Sequence, residues 1–383
     1  MTSLARLSRA RNIADLRLLA KARLPRMVFD YIDGGAEDEV TLTNNVARLQ
    51  AHGLRWRSLV DVETLRTDVR VMGERSALPF FISPSATSRL FHTEGEAAVS
   101  SAAHAAGIPY SLSTLGSTTI EDVARMCPGP KFFQIYMWRD RELVKDVMVR
   151  ARAAGFTGLI LTVDTVVAGN RERDKANDFT IPPRVTFRTA TQALSAPRYL
   201  WDLATKPKIR PENFTHLSTP IGGLPAFFNA QFDRTVTWKD AEWMAAQWGG
   251  PFAIKGLCTG QDAGHAVDSG ASAVWVSNHG GRQLDTAPAT IDVLREVVDA
   301  VAGRAEVVFD SGVRRGVDVL KALALGATSV AIGRAYLYGL AAGGRNGVTR
   351  ALDILTEELH RDMRLLGVSN VADLRPDMVA LPR

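Results

Sequence analysis

The sequence predicts an α/β fold, a (β/α)8 TIM barrel with an N-terminal helical extension and one long insertion after strand 4. Three observations predict it. Eight short apolar runs alternate with helical stretches from Pro79 onward. That is the pattern of a parallel sheet covered on both faces, and eight strands close into a barrel. Four connections repeat one device, in which a helix ends in glycine and a strand follows almost at once: Gly107, Gly155, Gly270 and Gly326. Glycine supplies the left-handed conformation that turns the chain back toward its sheet. Finally, nearly every apolar run ends in a hydrogen-bonding side chain, and the sites of this fold lie at the C-terminal ends of its strands. A doubly wound open sheet is the alternative, but no GxGxxG follows the first apolar run.

Taken in order, residues 12–24 form an amphipathic helix with Ile13, Leu16, Leu19 and Ala20 on one face. Pro25 opens a second helix carrying Val28, Tyr31 and Ile32, which Gly34-Gly35 ends. Residues 1–78 thus read as a helical preface with a short hairpin. Strands are expected at 80–83, 109–112, 132–135, 158–163, 252–255, 273–276, 307–309 and 329–332, with helices at 94–106, 141–154, 291–302 and 316–325. The rhythm breaks once, where about 89 residues separate the fourth and fifth strands. Insertions of that size are lids, binding loops or mobile segments, so residues 165–237 are read as an insertion over the site. A helix at 238–248 resumes the barrel, and 1–383 reads as a single domain.

The 383 residues are 46% hydrophobic and 23% charged, ample for one large core. Cys127 and Cys258 lie far apart with no metal-ligand spacing, so neither a disulfide framework nor a metal site is expected, and a reducing compartment fits. No apolar run approaches the roughly 20 residues that span a bilayer. The first 26 residues carry seven Lys or Arg against one Asp, but no apolar h-region follows, and an amphipathic helix already begins there. Residues 184–210 hold six basic residues (Arg184, Arg188, Arg198, Lys206, Lys208 and Arg210) and one acid, Asp202, around Tyr199, Trp201 and Leu203. Their excess equals that of the whole chain, +5. No nucleic-acid-binding motif accompanies it. It suits either a solvated lid or contact with an anionic bilayer, although Pro182, Pro183, Pro197, Pro207 and Pro211 interrupt any long amphipathic helix.

The strand ends supply the chemistry. Strand one is followed by Pro84, Ser85 and Ala86 and strand two by Ser113, strand three gives Gln134 with Tyr136 beyond it, and strand four gives Thr162 with Asp164 and Arg171 beyond it. Lys255 lies at the end of strand five, and Ser277 and His279 follow strand six, with Gly280, Gly281 and Arg282 beyond them. A histidine takes a proton near neutral pH, and an arginine presents a planar fork to a carboxylate. Asp310, Ser311, Gly312 and Arg314 after strand seven, with Gly333 and Arg334 after strand eight, form the usual phosphate seat of this fold.

Ser277-Asn278-His279-Gly280-Gly281-Arg282-Gln283-Leu284-Asp285 resembles the signature of the FMN-dependent 2-hydroxy acid dehydrogenases and oxidases, and the likeness runs over nearly the whole chain. The resemblance implies an FMN cofactor, held by Pro84, Ser85, Ala86, Ser113, Gln134, Thr162, Lys255, Ser277, Asp310, Ser311, Gly312, Arg314, Gly333 and Arg334. It implies oxidation of an L-2-hydroxy acid, L-lactate foremost and (S)-mandelate second. His279 would be the base, Asp164 its partner, Arg171 and Arg282 the carboxylate clamp, and Tyr31 and Tyr136 further substrate contacts. It also implies a quinone, another acceptor or O2 as oxidant, a homotetramer, and a cytoplasmic enzyme peripheral on the inner membrane face. Leu115 stands where glycolate-type oxidases carry tryptophan, which predicts a roomier pocket, while Ala86 stands where some membrane enzymes of the family carry glycine. Two other classes are a phosphate-binding aldolase using Lys255 as a Schiff base and a membrane-recruited binding protein without catalysis.

Overall fold

The computed structural model describes residues 3–179, 192, 194, 196–206, 209–214 and 231–380. Eight parallel strands close into a barrel in strict sequence order: β1 (Phe80–Ile82), β2 (Tyr110–Ser113), β3 (Lys131–Ile135), β4 (Gly158–Thr162), β5 (Phe252–Leu257), β6 (Ala273–Val276), β7 (Glu306–Phe309) and β8 (Ser329–Ile332). β8 pairs with β1 through Val330 and Phe80, which completes the ring. These are the eight apolar runs, displaced by one or two residues at their ends. The four glycines that turn the chain from helix to strand, Gly107, Gly155, Gly270 and Gly326, all adopt φ between +67° and +107°. A side chain there meets the strain that favours glycine.

Helices cover the outside at Gly95–Ala105, Arg141–Ala153, Thr290–Val301 and Gly316–Ala324. Two more, Ile120–Met126 and Gly260–Asp268, were not anticipated. Both are short, and threonines cap them through hydrogen bonds from Asp122 N and Asp262 N. A third surprise is Arg334–Leu366, bent where Gly343 and Gly344 leave helical geometry. It packs against the preface helix Ile13–Arg23 and against the barrel helices Gly95–Ala105 and Gly316–Ala324. The preface ends in the hairpin Val69–Val71 with Glu74–Ser76, and Gly53–Leu54 pairs with Val379–Ala380.

Alternation along the strands places the site. Phe81, Phe132 and Trp275 are fully buried and meet edge to face inside the barrel, with ring centroids 5.4 and 6.1 Å apart. Side chains on a strand repeat their facing every two residues. One step of two from those aromatics therefore brings Ser83, Gln134 and Ser277 to the same interior, where Ser113 registers with Gln134 and Thr162 with Lys255 on neighbouring strands. The bore is apolar below and polar above, and the change occurs within one pleat.

Candidate active site

At the polar end lies a cavity of about 490 Å3, in the range of small-molecule and cofactor sites. All the candidate residues line it except Asp164 and Ser277, which stand one layer behind. Two hydrogen-bonded chains floor it. Ser113 Oγ donates to Gln134 Oε1 at 3.1 Å, and Gln134 Nε2 donates to Thr162 Oγ1 at 3.0 Å, linking β2, β3 and β4. Across the barrel, Lys255 Nζ donates to Ser277 Oγ at 2.7 Å and lies 3.2 Å from Asp310 Oδ2, which also accepts from Trp275 Nε1 at 3.0 Å. Ser311 Oγ completes this chain on Asp310 Oδ1 at 2.7 Å. Asp310 enters the site as the counter-ion of Lys255.

That pairing decides the state of Lys255. Burial alone would lower its pKa, but Asp310 and Asp164 more than offset this and raise it above the ordinary lysine value. A Schiff-base lysine needs the opposite, a neutral amine at working pH. Lys255 is an ammonium fixed against the floor of the cavity, so the aldolase reading fails on its electrostatics.

After β6 the chain makes three left-handed residues in succession, His279 at φ +57°, Gly280 at +66° and Gly281 at +74°. The two glycines are needed there. A Cβ on Gly280 would lie 2.6 Å from Arg334 Nη1, and one on Gly281 would lie 2.5 Å from Leu42 N. This turn aims the imidazole into the cavity and its Nδ1 at Asp164 Oδ1, 2.8 Å away. With Asp164 ionised, Nδ1 carries the hydrogen and Nε2 is the free acceptor. Burial pushes the His279 pKa below 6.5, partly opposed by Asp164. Burial would raise the Asp164 pKa, but His279 and Lys255 overcome this and hold it below the usual value. At neutral pH the pair is therefore a neutral imidazole backed by a carboxylate.

Facing it are the two arginines. Arg282 lies 4.9 Å and Arg171 5.9 Å from the centroid of the Tyr31 ring. Arg282 Nη1 donates to Tyr31 O at 2.5 Å, which holds the guanidinium against the helix Arg26–Asp33. Burial first, and then the nearby charge of Arg171, lower its pKa to about 9. Arg171 Nε is buried without a partner among the described residues. Two cations forced together with an unfilled donor make a place for an anion, and a planar carboxylate matches both forks. Tyr136 stays protonated because burial raises its pKa.

Sequence reasoning missed the apolar wall of Phe91, Phe179 and Phe232. Phe179 and Phe91 pack on the Tyr31 ring at 4.8 and 6.1 Å, and Phe232 meets Tyr136 edge to face at 5.6 Å. Phe179 and Phe232 belong to the insertion, where no periodic pattern marks which apolar residues turn inward. Leu115 lies in the same lining, as anticipated. Arg184, Arg188 and Lys208 of the basic stretch lie outside the described residues.

At the β7 and β8 end, Ser311 and Gly312 take φ +81° and +91°, and Gly280 N donates to Ser311 Oγ at 3.1 Å. A Cβ on Gly312 would lie 2.5 Å from Asn45 O, whereas Gly333 faces open space. Arg314 and Arg334 line the same end. Arg334 also gives hydrogen bonds to Ile32 O, Gly280 O and Gly34 O at 2.8–2.9 Å, so it fastens the preface to the barrel. The fit to FMN is good. The cavity has an anion-binding end with open glycine backbone, a floor of amide and hydroxyl groups for a heterocycle, and a buried ammonium beside it. No cluster suited to a metal occurs among the described residues.

Comparison with known proteins agrees with this chemistry. A family profile, FMN-dependent dehydrogenase, matches residues 20–381. A putative L-lactate dehydrogenase of Mycobacterium tuberculosis is 44% identical over 98% of this chain and 90% of its own length. An L-lactate oxidase of Nostoc is 42% identical over 95% and 96% respectively. The crystal structure of the monotopic membrane protein (S)-mandelate dehydrogenase superposes with a TM-score of 0.93 at 37% identity, covering 97% of this chain and all of that one. Barrel, phosphate seat and match across the chain lead to one assignment: this chain belongs to the FMN-dependent dehydrogenase family and is a flavoprotein oxidising the CH–OH group of 2-hydroxy acids.

Proposed function

We propose that the substrate is an L-2-hydroxy acid, L-lactate by preference, oxidised to the 2-oxo acid with His279 as general base. The observation that carries this reading is the neutral His279 imidazole, backed by the Asp164 carboxylate, in one cavity with the paired Arg171 and Arg282. The two arginines bind the carboxylate and so fix the adjacent carbon. Tyr31 and Tyr136 border the same place and supply hydroxyl groups for the carboxylate and the substrate hydroxyl. His279 Nε2 takes the proton, and Asp164 stabilises the imidazolium that forms. FMN, held by the residues of the two chains and the phosphate seat, supplies the two-electron acceptor. Lys255 keeps a positive charge beside it, where electrons arrive.

Relatives named for lactate support the choice of substrate. A second reading, (S)-mandelate, is favoured by Leu115, Phe91, Phe179 and Phe232, an apolar wall larger than a methyl group needs. Anaerobic mixing separates the two. The purified protein is expected to be yellow and to bleach with L-lactate at a higher kcat/KM than with (S)-mandelate. The reverse order selects mandelate, and a colourless protein that gains no visible absorbance with FMN ends both readings.

We also propose peripheral contact with an anionic membrane through residues 184–210, bringing the flavin near a quinone acceptor. No described helix is long and apolar enough to cross a bilayer. Support comes from the helix Pro197–Thr205, where Arg198, Trp201 and Thr205 are exposed along one face and Trp201 is 70% exposed. Basic residues near anionic headgroups contribute roughly 1 kcal/mol each. The protein is expected to sediment with anionic vesicles in low salt and to be released by deletion of residues 184–210. An intact protein that stays in the supernatant leaves this stretch as a lid.

A further inference from the structure

We propose that Arg173 is a positioning residue for substrate binding, clamping the segment that carries Arg171 onto the helix that carries Tyr31. This rests on the reading of those residues as the carboxylate site. Arg173 sits two positions beyond Arg171, on the outer side of the site. Its Nη1 lies 3.4 Å from Asp33 Oδ2 and 4.0 Å from Asp30 Oδ1, and its Nη2 bonds to Glu39. Asp33 follows Tyr31 by two residues and is only 8% exposed. Its carboxylate also accepts from Arg17 at 2.5 and 2.6 Å and from Tyr338 at 2.8 Å. Two more bonds join the same elements: Asn177 Nδ2 to Asp30 at 2.8 Å, and Glu37 N to Asn170 O at 2.8 Å.

A clamp is needed because the site holds two like charges together. Before a carboxylate arrives, Arg171 and Arg282 repel across the Tyr31 ring, and the Arg171 segment is the freer of the two. Arg282 is anchored to Tyr31 O and Gly34 O, whereas Arg171 Nε is buried and has no partner among the described residues. Acids placed behind Arg171, on the preface, hold its segment inward through Arg173 and offset that repulsion. Arg173 is itself 42% exposed. An ion pair that open contributes little to global stability, so its loss should alter the site far more than the fold.

The test uses the holoenzyme with L-lactate and (S)-mandelate as probes, followed by anaerobic flavin reduction. Arg173→Met is expected to raise the half-saturating concentration at least about 10-fold, since small misplacements of positioning groups are costly. Flavin content and the limiting rate should stay near wild type. Arg173→Lys should recover part of the loss, keeping the charge without the fork. Arg17→Met is the control: it removes a partner of Asp33 that does not touch the Arg171 segment, and it should leave half-saturation unchanged. Unchanged half-saturation in Arg173→Met, or an equal rise in Arg17→Met, overturns the proposal. A wild type reduced by neither probe overturns the functional reading and this one with it, a distinguishable result because the wild type alone reports it.

Discussion

His279→Gln is expected to retain FMN and to lose anaerobic flavin reduction by at least about 10²–10⁴-fold, the usual cost of removing a general base. Among the described residues that line the cavity, no other offers a neutral basic nitrogen. Lys255 is charged, Tyr136 is held protonated, and Arg282 and Arg334, lowered only to about 9 and about 10, remain cations at neutral pH. The cofactor should remain because His279 is not among its proposed contacts, and Ser277, the nearest of them in sequence, keeps its bond to Lys255 at 2.7 Å. His279 occupies a left-handed backbone position at φ +57°, which asparagine tolerates better than glutamine. His279→Asn is therefore the companion variant, and the two should agree. Near-normal reduction in both would show that the proton goes elsewhere.

The pH profile of the same reaction has a fixed sign. Burial, opposed by Asp164, places the His279 pKa below 6.5, so kcat/KM should be flat near neutrality and fall only below that value. Asp164→Asn removes the anion that raises this pKa. The acid limb should then move further down, while the plateau drops because the imidazolium loses its stabilising partner. A limb that moves upward in Asp164→Asn contradicts the assigned pairing.

The barrel was legible because its signals are local and repeated: apolar runs of strand length, glycine at the helix ends, and polar residues one pleat above apolar ones. The chain departed from the reading where the signal is weak or long in range. Ile120–Met126 is short for a helical period to emerge, and Gly260–Asp268 has two glycines and a single large apolar residue, Val267, too little for a stripe. Arg334–Leu366 carries an adjacent glycine pair, Gly343-Gly344, which bends the helix without ending it. In the site, His279, Arg282 and Lys255 stood out because charge at the end of a buried strand demands a reason. Phe179 and Phe232 did not, since an apolar residue in an insertion looks the same whether it faces substrate or core. The service of Asp310 to Lys255 joins β7 to β5 and is visible only once the barrel closes.

The second large effect concerns that pair. Lys255 is 5% and Asp310 7% exposed, with Nζ 3.2 Å from the carboxylate. Lys255→Met keeps the volume but leaves Asp310 buried without its cation, and breaking a buried pair costs about 3–5 kcal/mol. Because Asp310 and Asp164 raise the Lys255 pKa above 10.5, the wild-type contribution is complete at neutral pH and fades only in strong alkali. The variant should therefore unfold at lower urea at pH 7, bind FMN more weakly and reduce it far more slowly. A lost fold would explain all of that, so the decisive protein is the double variant Lys255→Met with Asp310→Asn. Removing both charges leaves no unpaired ion, and stability should return toward wild type. Flavin reduction should not return, because the positive charge beside the cofactor is still missing. If reduction recovers together with stability, Lys255 serves only the fold, and its assignment to the flavin is wrong.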